Sequence, residues 1–268
     1  MNRTVSEERT NRMMKTGKRF FFLFLFLFLS ATMVSGLACA ETAAEQLDDK
    51  TRMQFYDRSL IVGDSQVRNL GNYLRRQRGS NPDFFPGLKC YGEDSLQMRM
   101  LALEKPLDDG KTVELNYKGR KATLAGIAKA EQPHNIFLMI GLNDRIYANR
   151  DRAENYIRRI IALRDAGFPD TDLYFMSILP VTDKWKQKYR DEISTYNEWL
   201  CELCEQEEKV YYMDVRAGLA DENGCLPKKI TTDAESHLNA DGFAILVQNL
   251  LDFAQIRYEE GFWIPDNP

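Results

Sequence analysis

The sequence of 268 residues contains few of the side chains that bind metal ions, since it has only two histidines and five cysteines. Cys201 and Cys204 are spaced as half of a zinc site, but no second pair follows them along the chain. We therefore expect neither a metal ion nor another cofactor. The pair lies in a helical pattern, where a bridge between its members would be strained. Cys90, Cys201, Cys204 and Cys225 are expected to be buried thiols, or to include a bridge from Cys204 to Cys225.

A long apolar run occurs near the N-terminus, where residues 20–29 consist entirely of Phe and Leu. Lys15, Lys18 and Arg19 precede the run, and the sequence A-C-A follows at residues 38–40. A basic flank, an apolar run and small residues at a cleavage site are typical of a secretory signal. We therefore expect residues 1–40 to be removed and the protein to be secreted or held in the cell envelope. The alternative is an uncleaved membrane anchor through residues 20–38.

Basic charge is scarce after residue 40. Residues 1–40 hold six of the 36 basic residues and two of the 40 acidic ones, which leaves 30 basic and 38 acidic residues. The net charge of this part is about −8. It contains no basic block that could follow a phosphate backbone, so we exclude nucleic acid as a partner.

Internal repeats and low-complexity segments are absent after residue 40, and short apolar runs alternate with helical patterns. The apolar runs are residues 60–62, 87–91, 136–140, 173–179 and 210–213, and the helical stripes are residues 156–167, 193–204 and 243–254. Continuous apolar runs are typical of parallel strands buried on both faces. The alternation predicts a doubly wound α/β domain over residues 58–268, preceded by a mobile or helical lead-in over residues 41–57.

One segment departs from this alternation. Residues 112–124 show period-two patterning on either side of Lys118-Gly119. This pattern predicts a small β-hairpin inserted between the second and third parallel strands.

Two polar side chains follow predicted strands at their carboxyl ends, where ligands bind in open parallel sheets. Ser65 follows the first strand in the sequence G-D-S-Q, and Asn143 follows the third in the sequence G-L-N-D. Each residue type is also common in turns and caps, so a purely structural role remains the alternative for both.

The two histidines are predicted to lie at opposite edges of the sheet. His134 precedes the third strand and is therefore expected at the amino edge. His237 lies in the loop between the fifth strand and the last helix, on the same edge as Ser65 and Asn143. His237 is thus the histidine that could act as a base for Ser65.

The three motifs, in this order and spacing, resemble the SGNH (GDSL-type) hydrolase family, and the resemblance extends over about residues 60–254. It implies a flavodoxin-like three-layer α/β/α fold with a five-stranded parallel sheet. It also implies that Ser65 is the nucleophile and His237 the general base. The backbone of Ser65, Gly92 after the second strand and the amide of Asn143 would then form the oxyanion hole. The G-x-S-x-G elbow of α/β-hydrolases is absent.

Two positions depart from the family pattern. The fourth residue of the G-D-S-L motif is Gln66, which we expect to matter little because this side chain takes no part in the chemistry. The family's acid usually stands three residues before the histidine, where this chain has Ala234. We expect Asp233 to be the acid, with Glu235 as the alternative, and a Ser–His dyad remains a third possibility.

The resemblance and the signal-like segment together favour an exported serine esterase that hydrolyses small acyl esters, with O-acetyl groups on carbohydrate as the expected substrate. A lipid esterase or lysophospholipase is the alternative within the family. Two alternatives from other functional classes are a non-catalytic carbohydrate-binding protein that retains the fold and an acyltransferase that uses the same serine. A membrane is expected as a partner only if the N-terminal segment stays uncleaved.

Overall fold

The computed structural model describes residues 45–103 and 115–265. The predicted signal peptide, residues 1–40, lies outside the described residues, as do residues 112–114 at the start of the predicted hairpin. Within the two described ranges, no helix is both long enough and apolar enough to cross a membrane.

Five parallel strands form the central sheet in the spatial order β2-β1-β5-β6-β7. The strands are β1 (Ser59–Gly63), β2 (Leu88–Gly92), β5 (Asn135–Met139), β6 (Asp172–Met176) and β7 (Val210–Met213). The predicted parallel α/β fold is confirmed. All residues of the central strands β1 and β5 are buried, which explains why the sequence shows them as unbroken apolar runs.

Helices cover both faces of the sheet. They are α1 (Asp49–Gln54), α2 (Ser65–Ser80), α3 (Met98–Leu101), α4 (Leu124–Glu131), α5 (Arg150–Gly167), α6 (Gln187–Cys204) and α7 (Ala240–Glu259), with 3₁₀ turns at Ile146–Ala148 and Lys228–Ile230. Alternate strand residues point to opposite faces. Ile61 packs against α1, α2 and α7, whereas Val62 packs against α4, α5 and α6. The result is the predicted three-layer α/β/α arrangement.

The fourth predicted strand ends earlier than its apolar run. The run extends to residue 179, but β6 ends at residue 176. The hydroxyl of Ser177 accepts the N–H of Val215 at 3.0 Å, and the Asn197 amide pairs with both the N–H and the C=O of Ile178 at 2.9 Å. The N–H of Ser177 still donates to the carbonyl of Met213, and side-chain hydrogen bonds replace the strand ladder from Ile178 onward.

The predicted hairpin is present as β3 (Leu115–Tyr117) and β4 (Arg120–Ala122), which pair antiparallel. Lys118 and Gly119 occupy its turn with positive φ angles of 51° and 76°. The Glu93 carboxylate accepts the N–H of Asn116 at 3.1 Å and the ammonium of Lys121 at 2.5 Å. The hairpin is thus fastened to the residue that follows Gly92.

A second carboxylate, Glu131 at the end of α4, also holds the hairpin. It accepts hydrogen bonds from Lys118, Lys89 and Tyr117. The bonds from Lys118 and Lys89 outweigh partial burial and lower the pKa of Glu131 to about 2.

Residues 45–57, the described part of the predicted lead-in over residues 41–57, are packed against the last helix. Asp48 caps α1 by accepting the N–H of Thr51 at 2.7 Å. The hydroxyl of Tyr56, which is fully buried, donates to the carbonyl of Leu250 in α7 at 2.6 Å. The described part of the lead-in is therefore helical in its centre and contributes to the core.

The four cysteines after residue 40 are free thiols, so the alternative of a bridge from Cys204 to Cys225 is wrong. Cys204 is the last residue of α6, whereas Cys225 lines a cavity together with Gln187 and Arg190 at the start of that helix. The length of α6 therefore separates the two sulfur atoms. Burial raises the pKa of the Cys204 thiol well above its usual range and that of Cys90 to about 12, so both thiols stay protonated.

Candidate active site

The turn between β1 and α2 carries Ser65, which is the first residue of α2. The Asp64 carboxylate caps the helix by accepting the N–H of Gln66 at 2.9 Å. Two glycines allow the neighbouring strands to approach this turn closely. A Cβ on Gly63 would lie 2.1 Å from the carbonyl oxygen of Met139, and one on Gly92 would lie 2.1 Å from the backbone nitrogen of Arg68 in α2. The end of β2 is therefore held directly against the first turn of α2.

His237 connects Ser65 to an acid, as the sequence predicts. The hydroxyl of Ser65 lies 2.8 Å from Nε2 of His237, and Nδ1 of His237 lies 2.5 Å from Oδ2 of Asp233. Because a carboxylate only accepts hydrogen bonds, Nδ1 carries the proton and Nε2 is left to accept from the serine. This is the geometry of a serine nucleophile with an oriented general base.

The four-residue spacing of Asp233 and His237 has a local cause. Oδ1 of Asp233 accepts the N–H groups of Glu235, Ser236 and His237 at 2.8, 3.0 and 3.1 Å. Ala234 adopts a left-handed conformation with φ of 54°, which turns the chain around the carboxylate. The extra residue is therefore absorbed in a tight loop, and the acid still reaches the imidazole.

The same contacts determine the charge of Asp233. Burial opposes ionisation of this carboxyl, but the hydrogen bond from His237 and those from the three backbone N–H groups outweigh it. They hold the pKa of Asp233 well below its usual range, so it is ionised at neutral pH. Glu235, the alternative acid, faces Lys184 at 3.8 Å instead.

The loop that carries His237 is closed at its base and supported from one side. Thr231 and Leu238 form an isolated antiparallel bridge, and the N–H of Thr232 donates to the carbonyl of His237 at 2.8 Å. The hydroxyl of Thr182 donates to the carbonyl of Ala234 at 3.0 Å. His134, by contrast, lies exposed before β5 at the amino edge, as predicted.

Gln66, whose side chain was expected to take no part in the chemistry, contacts this loop. Its Nε2 donates to the carbonyl of Ser236 at 2.5 Å, and its Oε1 accepts the N–H of Leu238 at 3.2 Å. The partners lie 170 and 172 residues away in the sequence, so no local pattern could have indicated them.

Asn143 lies at the predicted edge, beside the serine turn. The positive φ of Gly141, 129°, bends the chain after β5 and directs this segment toward Asp64. The Asn143 amide nitrogen donates to Oδ2 of Asp64 at 3.2 Å and to the carbonyl of Leu96 at 3.1 Å. Both amide hydrogens are therefore engaged, and one of them has to leave its acceptor before Asn143 can donate to an oxyanion.

Asp64 contacts both the serine helix and Asn143, yet it is only 5% exposed. Burial raises the pKa of Asp64 to about 6, although the hydrogen bond from Gln66 N–H opposes this effect. This residue links the cap of α2 to the amide that the sequence predicts as an oxyanion donor.

Two cavities lie near this edge of the sheet. The smaller, about 20 Å³, is lined by the ends of β5 and β6 and by Asp64, Gln66 and Ser236. The larger, about 500 Å³, is lined by polar residues of the segments around 183–190 and 221–228, including Asp183, Arg190 and Asn223. Among the residues the structure describes, no group of three or more His, Cys, Asp or Glu side chains is placed to hold a metal ion.

Comparisons with known proteins agree with this architecture. The model of the GDSL-like lipase/acylhydrolase family matches residues 98–245, a range that includes Asn143, Asp233 and His237 but begins after Ser65. No curated protein matches the chain significantly in sequence.

Solved structures of similar fold come from several bacteria. A Streptococcus pneumoniae protein, provisionally named a platelet activating factor, is 23% identical with a TM-score of 0.54, and the match covers 77% of this chain and 91% of that one. A GDSL-like lipase from Bacteroides thetaiotaomicron is 16% identical with a TM-score of 0.52, covering 81% and 93%. A Bacteroides fragilis protein, provisionally an acylhydrolase, is 15% identical with a TM-score of 0.52, covering 75% and 86%. At these identities the likeness concerns the fold.

Proposed function

The chain belongs to the GDSL-like lipase/acylhydrolase family, and we propose that it is a serine esterase that cleaves esters through an acyl-enzyme on Ser65. The observation that carries this proposal is the continuous hydrogen-bond chain from Ser65 through His237 to Asp233. A serine hydroxyl is a weak nucleophile unless an adjacent base removes its proton.

In the proposed mechanism, Oγ of Ser65 attacks the ester carbonyl while Nε2 of His237 takes the hydroxyl proton. Asp233 stabilises the imidazolium that forms. His237 then gives the proton to the departing alcohol oxygen, which leaves the acyl group on Ser65. Water, activated by His237 in the same way, attacks the acyl carbonyl and releases the acid and the free serine.

Negative charge develops on the carbonyl oxygen in both steps. The backbone N–H groups of Ser65 and Gly92 and the Asn143 amide are the proposed donors to this oxyanion. The close packing of Gly92 on α2 and the hydrogen bond between Asp64 and Asn143 support this assignment, because they bring all three groups to the serine turn. Binding of the oxyanion would replace one of the two present acceptors of the Asn143 amide.

We propose short acyl esters, and O-acetyl groups on carbohydrate in particular, as the substrate. The cavity next to Asp64 and Gln66 has the size of one methyl group or one water molecule, which favours an acetyl group over a long chain. The larger cavity is lined by Asp183, the sequence neighbour of Thr182, which supports the histidine loop. The charged and amide side chains of this cavity suit hydroxyl groups better than an acyl tail. Export, as the N-terminal sequence predicts, would place the enzyme where acylated polysaccharides occur.

Covalent labelling tests the nucleophile. A fluorophosphonate probe should label the wild-type protein, and peptide mass spectrometry should locate the adduct on Ser65. The Ser65→Ala variant should not be labelled, and His237→Ala should be labelled far more slowly. A folded wild-type protein that resists the probe would refute the esterase proposal and favour a non-catalytic binding protein.

A series of p-nitrophenyl esters of increasing acyl length tests the substrate. We expect kcat/KM to be highest for the acetyl ester and to fall as the chain lengthens, because the small cavity suits a short acyl group. A steep preference for chains of eight or more carbons would instead identify a lipid esterase.

A further inference from the structure

The side chain of Gln66 forms hydrogen bonds with the backbone of both residues that flank His237 in the sequence. Its side chain is only 6% exposed, and its amide donates to the carbonyl of Ser236 and accepts the N–H of Leu238. These two backbone groups flank His237 on either side. A primary amide offers one donor end and one acceptor end, so it satisfies both groups at once.

The contacts of Gln66 differ in kind from those of Asp233. Oδ1 and Oδ2 of Asp233 bind groups within residues 235–237, so this carboxylate moves together with the loop. Gln66 belongs to α2 and directly follows Ser65. Its two hydrogen bonds therefore fix the backbone of His237 relative to the helix that carries the serine.

We propose that Gln66 is a positioning residue that sets the distance between Ser65 and His237. The inference rests on the proposed function, because it assumes that proton transfer between these two side chains limits the reaction. Ser65 and Gln66 are consecutive residues in the first turn of one helix, and their partners are His237 and its two neighbours. Any shift of the loop relative to α2 lengthens the Ser65–His237 contact and breaks a hydrogen bond of Gln66 at the same time.

An apolar residue at position 66, such as the leucine of the G-D-S-L motif, would fill the space without this restraint. It would leave the carbonyl of Ser236 and the N–H of Leu238 without their partner in a buried region, which favours displacement of the loop. Displacement of a reacting group by about 1 Å lowers a rate by about 100-fold. We therefore expect Gln66→Leu to lower kcat and the rate of fluorophosphonate labelling about 10- to 100-fold. Gln66 also lines the small cavity, but it bears no charge and leucine has a similar volume, so KM should change less than about threefold.

Asn249 provides a matched control, because its partners follow β7, which lies three strands away from β1 in the sheet. Its buried amide also supports a loop, donating to the carbonyls of Val215 and Ala217 at 2.8 and 2.9 Å. Asn249→Leu should lower the melting temperature yet leave the labelling rate of the folded protein unchanged. Gln66→Met, with an unbranched side chain of similar volume, serves as a second test if the leucine does not fit.

The experiment compares the labelling rate, kcat and KM of the wild type, Gln66→Leu, Gln66→Met and Asn249→Leu, each well below its melting temperature. Hydrogen exchange at the Leu238 amide is measured on the same four proteins. The inference predicts slower labelling, lower kcat and loss of Leu238 protection in both Gln66 variants. Wild-type rates in Gln66→Leu and Gln66→Met would overturn it while the proposed function stood. An equal loss of rate in Asn249→Leu would also overturn it, because the effect would then reflect general destabilisation. Failure of the wild-type protein to be labelled would refute the proposed function itself.

Discussion

Replacement of Asp233 by asparagine isolates the charge of this acid from its structural role. Oδ1 of Asp233 accepts three backbone N–H groups, and Oδ2 accepts the proton on Nδ1 of His237. An asparagine can keep its single oxygen on the three N–H groups, but its NH₂ group then faces Nδ1 of His237. That nitrogen would become an acceptor, and the proton would move to Nε2, where the ring can no longer accept the proton of Ser65.

The hydrogen bonds around Asp233 give the free-energy cost of the conformer of Asp233→Asn in which Nε2 of His237 can still accept the proton of Ser65. To face Nδ1 with its oxygen, the asparagine amide has to rotate and turn its NH₂ group toward the three N–H donors. Three hydrogen bonds are then lost at about 1 kcal/mol each. A loss of about 3 kcal/mol corresponds to roughly a 100-fold smaller productive population, at 1.4 kcal/mol for each factor of ten. Loss of the charge that stabilises the imidazolium adds to this, so we expect kcat to fall about 10²- to 10⁴-fold with little change in KM.

Steady-state kinetics on a p-nitrophenyl ester, with circular dichroism to verify folding, measures this effect. Glu235→Gln is the matched control because it removes one carboxylate from the same loop. It should lower kcat less than about tenfold, since Glu235 faces Lys184 rather than His237. A larger loss in Glu235→Gln than in Asp233→Asn would show that the acid is assigned wrongly. If neither change matters, the reaction proceeds through a Ser–His dyad.

Three further expectations follow from other parts of the structure. Asn143→Ala should lower kcat about 10²- to 10³-fold with KM nearly unchanged, and full activity would leave Asn143 a turn residue. Because burial raises the pKa of Asp64 from 3.8 to about 6, the stability that its protonation contributes is present at low pH and is lost as the pH rises through about 6. The melting temperature of Asp64→Asn relative to wild type should therefore rise between pH 4 and pH 7, and a constant difference would contradict the burial argument. N-terminal sequencing of the protein from its native host should begin at Glu41, whereas a chain in the membrane fraction that retains residues 20–29 would indicate an anchor.

Much of the fold could be predicted because its strands are buried on both faces. β1 carries apolar residues at positions 60–62 and β5 at positions 136–139, so the place of each strand is visible in the sequence. The end of β6 could not be predicted in this way. Residues 177–179 are buried like the strand itself, and the chain leaves the ladder at Ile178, where the Asn197 side chain pairs with both backbone groups.

In the candidate site, too, some residues could be predicted from the sequence and others could not. Ser65, Asn143 and His237 were found because the carboxyl ends of parallel strands meet at one edge of the sheet. The left-handed conformation of Ala234 and the contacts of Gln66 with the His237 loop could not be predicted from the sequence. A left-handed alanine has no sequence signature, since glycine and asparagine are the usual residues there, and the contacts of Gln66 depend on a loop that is distant in the chain.

The separation of 172 residues between Ser65 and His237 has a consequence for synthesis of the protein. A ribosome completes β1 and α2 early, so the serine exists in the nascent chain long before its base. The loop with His237 depends on its bridge between Thr231 and Leu238, and α7, which follows directly, covers one face of the sheet. On the proposed mechanism, chains that stop before this point contain a serine without its base, and such a hydroxyl is a weak nucleophile. An activity-based probe therefore counts only chains that have been translated and folded to their last helix, which makes it a direct measure of full-length yield in an expression culture.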